Sequence, residues 1–255
     1  MNPKHWITPD WPAPAIVHAA TTLRTGGVSV GVFNSLNAAL HVGDNAEFVR
    51  QNRAIIKGML DLPEEPAWLE QIHGNQVVDA ARRDLLQQAD ASYTNEPGIV
   101  CAVMTADCLP LLVCASDGSQ VAAIHAGWKG LLAGVICNTL AAMQIPPSPP
   151  FCKGGAGGDL LVWLGPAIGS SCFEVGDDVR DVFLQKSTAF STAFKSQGSG
   201  KWLADIYQLA RIDLAAMGIT EIYGGTFCTF TEEDRFYSYR RDKETGRMAT
   251  LIWRD

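Results

Sequence analysis

The chain has 255 residues, of which 47% are hydrophobic and 18% charged, so it can bury a full core. Its formal charge of -7 and pI of about 5.2 give no general attraction to nucleic-acid phosphates or anionic lipid, which argues against both as partners. The N-terminal MNPKHWITPDWPAP lacks the apolar run of a secretory signal, and no later segment has the length of a membrane span, so we expect a cytoplasmic protein.

The first part of the chain predicts strands around one helix. Residues 15–23, AIVHAATTL, predict a strand, and the glycines of TGGVS predict a turn after it. Apolar residues at helical spacing predict a helix from Asp44 or Asn45 to about Leu60. AWLEQIH and NQVVDA then predict two strands joined by a turn at residues 73–75.

The later part predicts more strands and three helices. IVCAVMT, LPLLVCA and QVAAIHA predict strands, and the DGS turn between the last two favours an antiparallel hairpin. Helical spacing predicts a helix over 128–144 and two more around 175–183 and 202–217. Further strands are predicted at 160–165, 221–227 and 249–254.

The order of these elements predicts the fold class. Strands and helices do not alternate regularly enough for a doubly wound parallel sheet. We predict a single α/β (α+β) domain over 1–255 with mixed, largely antiparallel sheets and flanking helices. Residues 145–159 are rich in proline and glycine, so they are predicted to form an exposed insertion loop.

Polar residues end two of the apolar runs and suggest a shared cleft. One run stops at TADC, with Asp107 and Cys108, and another stops at His125 before a predicted helix. His73 lies at a predicted turn. The simplest interpretation makes Cys108 a core thiol and His125 a hydrogen-bonded turn residue. The seven cysteines include no Cys-x-x-Cys pair, which argues against a zinc ribbon.

A second interpretation joins the three residues in one metal site. His73, Cys108 and His125 together would make a Cys-His-His zinc site at the ends of neighbouring strands. Three protein ligands leave a fourth position open, which is the arrangement of catalytic rather than structural zinc.

Six motifs, in this order, resemble those of the YfiH family, formerly called the laccase-domain or multicopper polyphenol oxidase family. They are TLRTGGVS, LHVGDN, EQIHGNQV, TADCLPLLV, HAGWKGLLAGV and LGPAIGSSCFEVGDDV. The resemblance covers nearly the whole chain. It implies a fold similar to the catalytic domain of cytotoxic necrotizing factor, and metal ligands at His73, Cys108 and His125.

The resemblance implies two conflicting activities, which are copper-dependent polyphenol oxidation and purine nucleoside phosphorolysis with adenosine deaminase activity. Resemblance to laccases would require a blue-copper site and a trinuclear cluster bound by about eight further histidines. This chain has five histidines and no His-x-His pair. It is therefore no conventional laccase, although one copper ion in a Cys-His-His pocket would allow weak oxidation.

The nucleoside activity requires a phosphate site and acid–base groups. The start of the predicted 128–144 helix, with Gly127 and Lys129, is a candidate anion cradle, and Arg24 is a second candidate. Asp107 is the candidate proton shuttle for deamination, since the H-x-E and P-C-x-x-C motifs of nucleobase deaminases do not occur.

We therefore predict a zinc-dependent purine nucleoside phosphorylase, acting on adenosine, inosine and methylthioadenosine, with adenosine deaminase activity. Its predicted partners are purine nucleosides and phosphate. Two alternatives remain open. Cys108 and His125 form the nucleophile and base of a metal-free hydrolase or amidase, or the chain is a metal-binding interaction protein without turnover.

Overall fold

The computed structural model describes residues 4–82, 87–143 and 160–255, so the insertion predicted at 145–159 lies outside the described residues. In those three ranges no helix is long and apolar enough to cross a membrane. The strands, in chain order, are Trp6–Ile7 (β1), Val17–Thr22 (β2), Val77–Asp79 (β3), Ala91–Thr94 (β4), Cys101–Thr105 (β5), Leu109–Ala115 (β6), Val121–Ala126 (β7), Leu160–Leu164 (β8), Glu174–Gly176 (β9), Phe194–Gly198 (β10), Lys201–Ala204 (β11), Ile222–Gly224 (β12) and Met248–Arg254 (β13). The α-helices are Ala46–Met59 (α1), Trp128–Ala133 (α2), Val135–Ala142 (α3), Asp177–Lys186 (α4), Ile206–Ala216 (α5) and Tyr239–Asp242 (α6).

The strands form three sheets. A four-stranded sheet has the order β1-β2-β13-β5, a six-stranded sheet has the order β12-β8-β6-β7-β4-β3, and a small sheet has the order β10-β11-β9. Neighbouring strands run antiparallel except for β12 with β8 and β3 with β4. A mixed α/β fold with largely antiparallel sheets, as predicted, is therefore confirmed.

Strand β6 shows how the layers pack. Its apolar sequence is continuous because both faces of the six-stranded sheet are buried. Leu111 and Val113 belong to the core that includes α2 to α5, whereas Leu112 and Cys114 pack toward β5 and β13 of the four-stranded sheet. Helix α1 covers the opposite face of the four-stranded sheet. The order of layers is thus α1, the four-stranded sheet, the six-stranded sheet and the remaining long helices.

The predicted helix over 128–144 is two helices. Gly134 has a left-handed φ of 85° and separates α2 from α3. Glycine adopts this conformation without the steric cost of a Cβ, so the break is local and the apolar spacing continues through it. The prediction of one continuous helix was wrong.

Two other helix predictions began too early. Val175 belongs to β9, and Trp202 and Leu203 belong to β11, so the sheet β10-β11-β9 was missed. Helix α5 starts after Asp205, whose side chain accepts a hydrogen bond from the N–H of Gln208 and caps the helix. In both places a short strand, of three residues in β9 and four in β11, lies just before a helix, and periodicity alone did not separate the strand from the helix.

The segment AWLEQIH does not form the predicted strand. It makes only two isolated bridges, Ala67 with Cys101 and Glu70 with Gln88. The strand that adds to the sheet here is β4, which was not predicted and which pairs parallel with β3 and antiparallel with β7. Because residues 67–73 are not part of a strand, this segment leaves the sheet and places His73 in the site described next.

Candidate metal centre and cavity

Three side chains that can bind a metal meet at one edge of the six-stranded sheet. The ligand atoms of His73, Cys108 and His125 all lie within 4.8 Å of one another. The two imidazole rings meet edge to face with centroids 4.8 Å apart. His125 is buried, Cys108 is half-buried and His73 is exposed. The structure thus brings together all three ligands that the sequence predicted.

The β6–β7 hairpin accounts for the proximity of Cys108 and His125. The two strands are antiparallel, and their register pairs Leu109 with Ala126 and Pro110 with His125. Cys108, one residue before β6, therefore lies beside the end of β7. Gly127 permits this close approach, since a Cβ there would stand only 3.0 Å from Cys108 Sγ and 3.5 Å from His73 Cδ2. One hairpin thus brings together Cys108 and His125, which are 17 residues apart in the sequence.

Asp90 holds both histidines and was missed by the sequence analysis. Its Oδ1 accepts hydrogen bonds from His125 Nδ1 at 2.8 Å and from the His73 N–H at 2.9 Å. Its Oδ2 accepts from the N–H groups of Gly74 at 2.6 Å and Ile72 at 3.3 Å. These bonds fix the turn in which His73 has a left-handed φ of 58°. A fully buried carboxylate thus positions two of the three metal ligands.

The electrostatics of the group favour a thiolate beside an imidazolium. Burial opposes ionisation of Cys108, but the adjacent His125 and His73 rings outweigh burial and lower the thiol pKa to about 6. Burial also disfavours a charged His125, but the Cys108 thiolate and Asp90 outweigh it and raise the pKa of His125 to about 9. Both shifts favour a thiolate–imidazolium ion pair at neutral pH in the metal-free protein.

The donor set fits a zinc ion. Zinc prefers thiolate and imidazole ligands, and ligand atoms around tetrahedral zinc lie about 3.3–3.6 Å apart. The three ligand atoms lie within 4.8 Å of one another, so a bound zinc would require them to move only slightly closer together. Because His125 Nδ1 is hydrogen-bonded to Asp90, the other ring nitrogen, Nε2, is the one that can bind a metal. The residues present therefore suit a metal site with three protein ligands.

A cavity of about 510 Å³ opens next to these ligands. This volume is within the range of small-molecule sites. Two arginines, Arg240 and Arg247, line it together with His41. The remaining lining residues are Gln71, His73, Met104, Thr105, Ala106, Asp107, Cys108, His125, Trp128, Ile168, Phe173, Ile206 and Tyr239.

Asp107 lines the cavity, but both oxygens of its carboxylate accept hydrogen bonds from neighbouring residues of the cavity wall. Its Oδ1 accepts a 2.6 Å hydrogen bond from the Thr229 hydroxyl, and its Oδ2 accepts one of 2.6 Å from the Arg240 N–H. Its backbone has a left-handed φ of 89° where the chain leaves β5 for β6. This geometry suits a positioning residue for Arg240 better than the predicted proton shuttle.

The structure does not bring the predicted phosphate ligands into this cavity. Arg24 lies in a separate depression, where its guanidinium donates hydrogen bonds to the carbonyls of Asn34 and Glu233. Lys129 is exposed, with its ammonium 5.7 Å from the centre of the Trp128 ring. Gly127 lies beside Cys108 at the start of α2, and the anion cradle predicted there stays a prediction.

Arg240, Arg247 and His41 take the place of those candidates as the basic groups of the cavity. The sequence YSYRRDKETGR favours a surface hairpin with charged residues, and His41 lies in the LHVGDN motif, where nothing in the local pattern indicates a role in a cavity. Arg247 is held by bonds from its Nη1 to the carbonyls of Thr245 and Gly246 at 2.7 and 3.0 Å. No spacing in the sequence distinguishes a basic residue that points into a cavity from one that points to solvent.

The remaining histidines lie apart from the metal ligands. His5 contacts the Thr25 hydroxyl, and His18 contacts the Asp255 carboxylate near the C-terminus. Within the described ranges, only His73, Cys108 and His125 form a cluster of three metal-binding side chains. The described part of the chain thus offers one candidate site with three ligands rather than the ligands of a multicopper centre.

Comparison with known proteins gives consistent matches over nearly the full chain. The family model described as "Multi-copper polyphenol oxidoreductase laccase" matches residues 18–255. "Purine nucleoside phosphorylase PA4543" of Pseudomonas aeruginosa is 49% identical over 249 residues, covering 97% of this chain and 98% of the relative. "Purine nucleoside phosphorylase YfiH" of Escherichia coli K12 is also 49% identical, over 248 residues, with the same shares covered. The crystal structure of Neisseria meningitidis protein NMB0706 is 50% identical, has a TM-score of 0.92, and is matched over 99% of this chain and 100% of that one.

Proposed function

The chain belongs to the YfiH family of multi-copper polyphenol oxidoreductase laccase proteins, and we propose that it is a zinc-dependent purine nucleoside phosphorylase. The proposed substrates are adenosine, inosine and methylthioadenosine together with phosphate. The active site is the cavity beside His73, Cys108 and His125. The relatives named purine nucleoside phosphorylase support the reaction class.

One observation supports this function above all, namely that a single cavity joins a three-ligand metal site with two arginines. Phosphorolysis needs an anion held next to a neutral nucleoside, and guanidinium groups bind phosphate through paired hydrogen bonds. Arg240 and Arg247 supply that charge within the same 510 Å³ space. The five histidines, by contrast, cannot supply a multicopper centre.

Each part of the cavity has a role in this proposal. Arg240 and Arg247 bind phosphate, and Asp107 holds Arg240 by accepting its N–H. Phe173 and Trp128 form apolar walls that contact the nucleoside and exclude water. His73, Cys108 and His125 would hold zinc, which supplies a Lewis acid next to the substrate when bound.

Adenosine deaminase activity is a second proposed activity of the same site, and the family resemblance is its main support. The two reactions differ in product, since phosphorolysis of adenosine releases adenine whereas deamination yields inosine. Chromatography of adenosine reactions with and without phosphate separates them. Copper in place of zinc would give only weak polyphenol oxidation.

Replacing Arg247 with lysine is expected to raise the KM for phosphate about tenfold or more and the KM for inosine much less. Lysine keeps the charge but loses the planar group that binds the Thr245 and Gly246 carbonyls and the phosphate together. Initial rates with each substrate varied in turn measure the two constants.

The matched control for this experiment is Lys129→Ala, which removes an exposed cation close to the metal site but outside the cavity. We expect both of its Michaelis constants to stay within about twofold of the unmodified protein. A Lys129→Ala effect on phosphate as large as that of Arg247→Lys would contradict the assignment of the phosphate site to the cavity.

A specific observation also favours a second candidate function, a metal-free Cys-His hydrolase or amidase. Cys108, His125 and Asp90 are arranged as a nucleophile, a base and the carboxylate that orients the base. The predicted resemblance to the necrotizing-factor domain would imply this chemistry. A Cys108 thiolate that binds zinc cannot act as a nucleophile. The phosphorylase and the hydrolase therefore cannot operate in the same metal-bound state.

Thiol alkylation as a function of pH tests this pair. In chelator-treated protein, Cys108 is expected to react with iodoacetamide with a midpoint near pH 6, because His125 and His73 stabilise its thiolate against the cost of burial. Mass spectrometry of the Cys108 peptide measures the rate. Cys114 is the internal control, since burial raises its pKa to about 12.

Zinc distinguishes the two functions in the same experiment. For the phosphorylase, one equivalent of zinc should suppress alkylation of Cys108 and be required for turnover. For the hydrolase, alkylation should be unaffected by zinc and should abolish amidase activity. An alkylation midpoint near the ordinary thiol value would contradict the ion pair itself.

A further inference from the structure

Two cysteines outside the metal site, Cys172 and Cys228, lie at the turn of residues 169–172. The Gly169 N–H donates a hydrogen bond to Cys228 Sγ at 3.3 Å, and the Cys172 N–H donates one to the Gly169 carbonyl at 3.0 Å. A Cβ on Gly169 would lie 3.0 Å from Cys228 Sγ, so glycine allows the approach. Both cysteines are half-buried and are free thiols. Small solutes can therefore reach the pair.

The surroundings of Cys228 favour its thiolate. Burial disfavours the charge, but hydrogen bonds from the Thr231 hydroxyl and from the N–H groups of Thr231, Gly169 and Phe230 outweigh burial and lower its pKa. Several donors converging on one sulfur make an anion-binding nest.

Cys172 is different and interacts with Cys228. Burial raises the pKa of Cys172, Ser171 opposes this through a hydrogen bond, and the neighbouring Cys228 thiol raises it further by hydrogen bonding and charge. One thiol is thus suited to attack and the other to act second as a resolving thiol.

We propose that Cys172 and Cys228 form a reversible dithiol–disulfide site that reacts with low-molecular-weight disulfides such as oxidised glutathione. The Cys228 thiolate attacks one sulfur of the small disulfide, whose S–S bond breaks and releases one thiolate. Cys172, after losing its proton, attacks Cys228 Sγ and displaces the second thiolate. Two protein thiols are oxidised, and one small disulfide is reduced to two thiols.

The pair is connected to the cavity through both of its segments. Ile168 and Phe173, on either side of the Cys172 turn, line the cavity. Thr229, next to Cys228, donates its hydroxyl to Asp107 and its N–H to the Ala167 carbonyl. A bond between the two sulfurs makes Cys228 Sγ a weaker acceptor for the Gly169 N–H, so we expect this wall of the cavity to shift. We expect oxidation to slow turnover in the cavity by at least about threefold.

The test uses full-length, zinc-loaded protein incubated with oxidised glutathione, followed by tryptic digestion and mass spectrometry. In the unmodified protein we expect a linked peptide joining Cys172 to Cys228, which a reducing agent cleaves. Cys172→Ser should instead accumulate a glutathione adduct on Cys228. Cys228→Ser should leave Cys172 mostly unmodified, because the thiol with the higher pKa remains.

The absence of the linked peptide, or of the adduct in Cys172→Ser, would overturn the proposal. Turnover adds a second readout that does rest on the proposed function. Loss of turnover in the unmodified protein, reversed by reductant and absent in Cys172→Ser, supports the connection to the cavity. Equal loss in Cys172→Ser would contradict that connection and assign the effect to another thiol.

Discussion

Cys108→Ala is expected to abolish zinc binding and to lower kcat/KM for phosphorolysis of inosine by at least about 1000-fold. The substitution removes the one sulfur among the three candidate ligands and leaves two imidazoles, which bind zinc far more weakly. Because the substitution also removes the thiolate partner of the buried His125, the free energy of unfolding of the metal-free protein should fall by about 1–3 kcal/mol while the fold stays intact. Elemental analysis, steady-state kinetics and urea unfolding measure the three quantities.

Cys114→Ala is the matched control, because it is the same change near the other end of β6. Cys114 is fully buried in the core between the two large sheets, so its loss is expected to cost about 1–2 kcal/mol of stability. Zinc content and turnover should remain those of the unmodified protein. Retained activity in Cys108→Ala would refute the metal site as the catalytic centre.

Asp90→Asn is expected to weaken zinc binding about 10–100-fold while leaving all three ligands in place. Asparagine has one oxygen where Asp90 uses two, and its NH₂ group would face either His125 Nδ1 or the N–H groups of Gly74 and Ile72. The first arrangement places the His125 proton on Nε2, the atom that must bind metal. The second leaves buried donors unpaired, at a cost of about 1–3 kcal/mol for each.

The measurements are zinc competition with a chromophoric chelator and urea unfolding of the metal-free protein. Asp79→Asn is the control, since Asp79 lies in β3 of the same sheet and accepts a bond from the Ala81 N–H without touching the site. It should leave the zinc affinity unchanged. An unchanged zinc affinity in Asp90→Asn would show that the carboxylate does not position His125.

Cys108 and His125 could be brought together from the sequence because each lies at the end of an apolar run, whereas His73 lies at a predicted turn and was added by the Cys-His-His hypothesis and the family resemblance. The hairpin of β6 and β7 was predicted from its DGS turn, and antiparallel pairing then places Cys108 beside His125. Polar residues interrupt strands where strands leave the core, so the pattern correctly indicated the strand ends at which the site lies. The assignment of 1–255 to one domain stays a prediction.

The parts of the site that were missed depend on long-range packing. Asp90 precedes the unpredicted strand β4 and reaches His125 across 35 residues of sequence, and no local pattern marks such a contact. Arg24 sits after a strand and before two glycines, yet it binds carbonyls in another depression. Arg247 enters the cavity because its neighbours in the C-terminal segment bind its guanidinium. In each case the direction of the side chain, rather than the residue type, determines whether the residue belongs to the site.

The most direct measurement titrates chelator-treated protein with zinc while recording phosphate-dependent release of hypoxanthine from inosine in the same samples. A zinc-dependent phosphorylase at His73, Cys108 and His125 predicts a rise that saturates at about one zinc per chain and is absent without phosphate. Full release of base by metal-free protein, or no release at any zinc content, would contradict it.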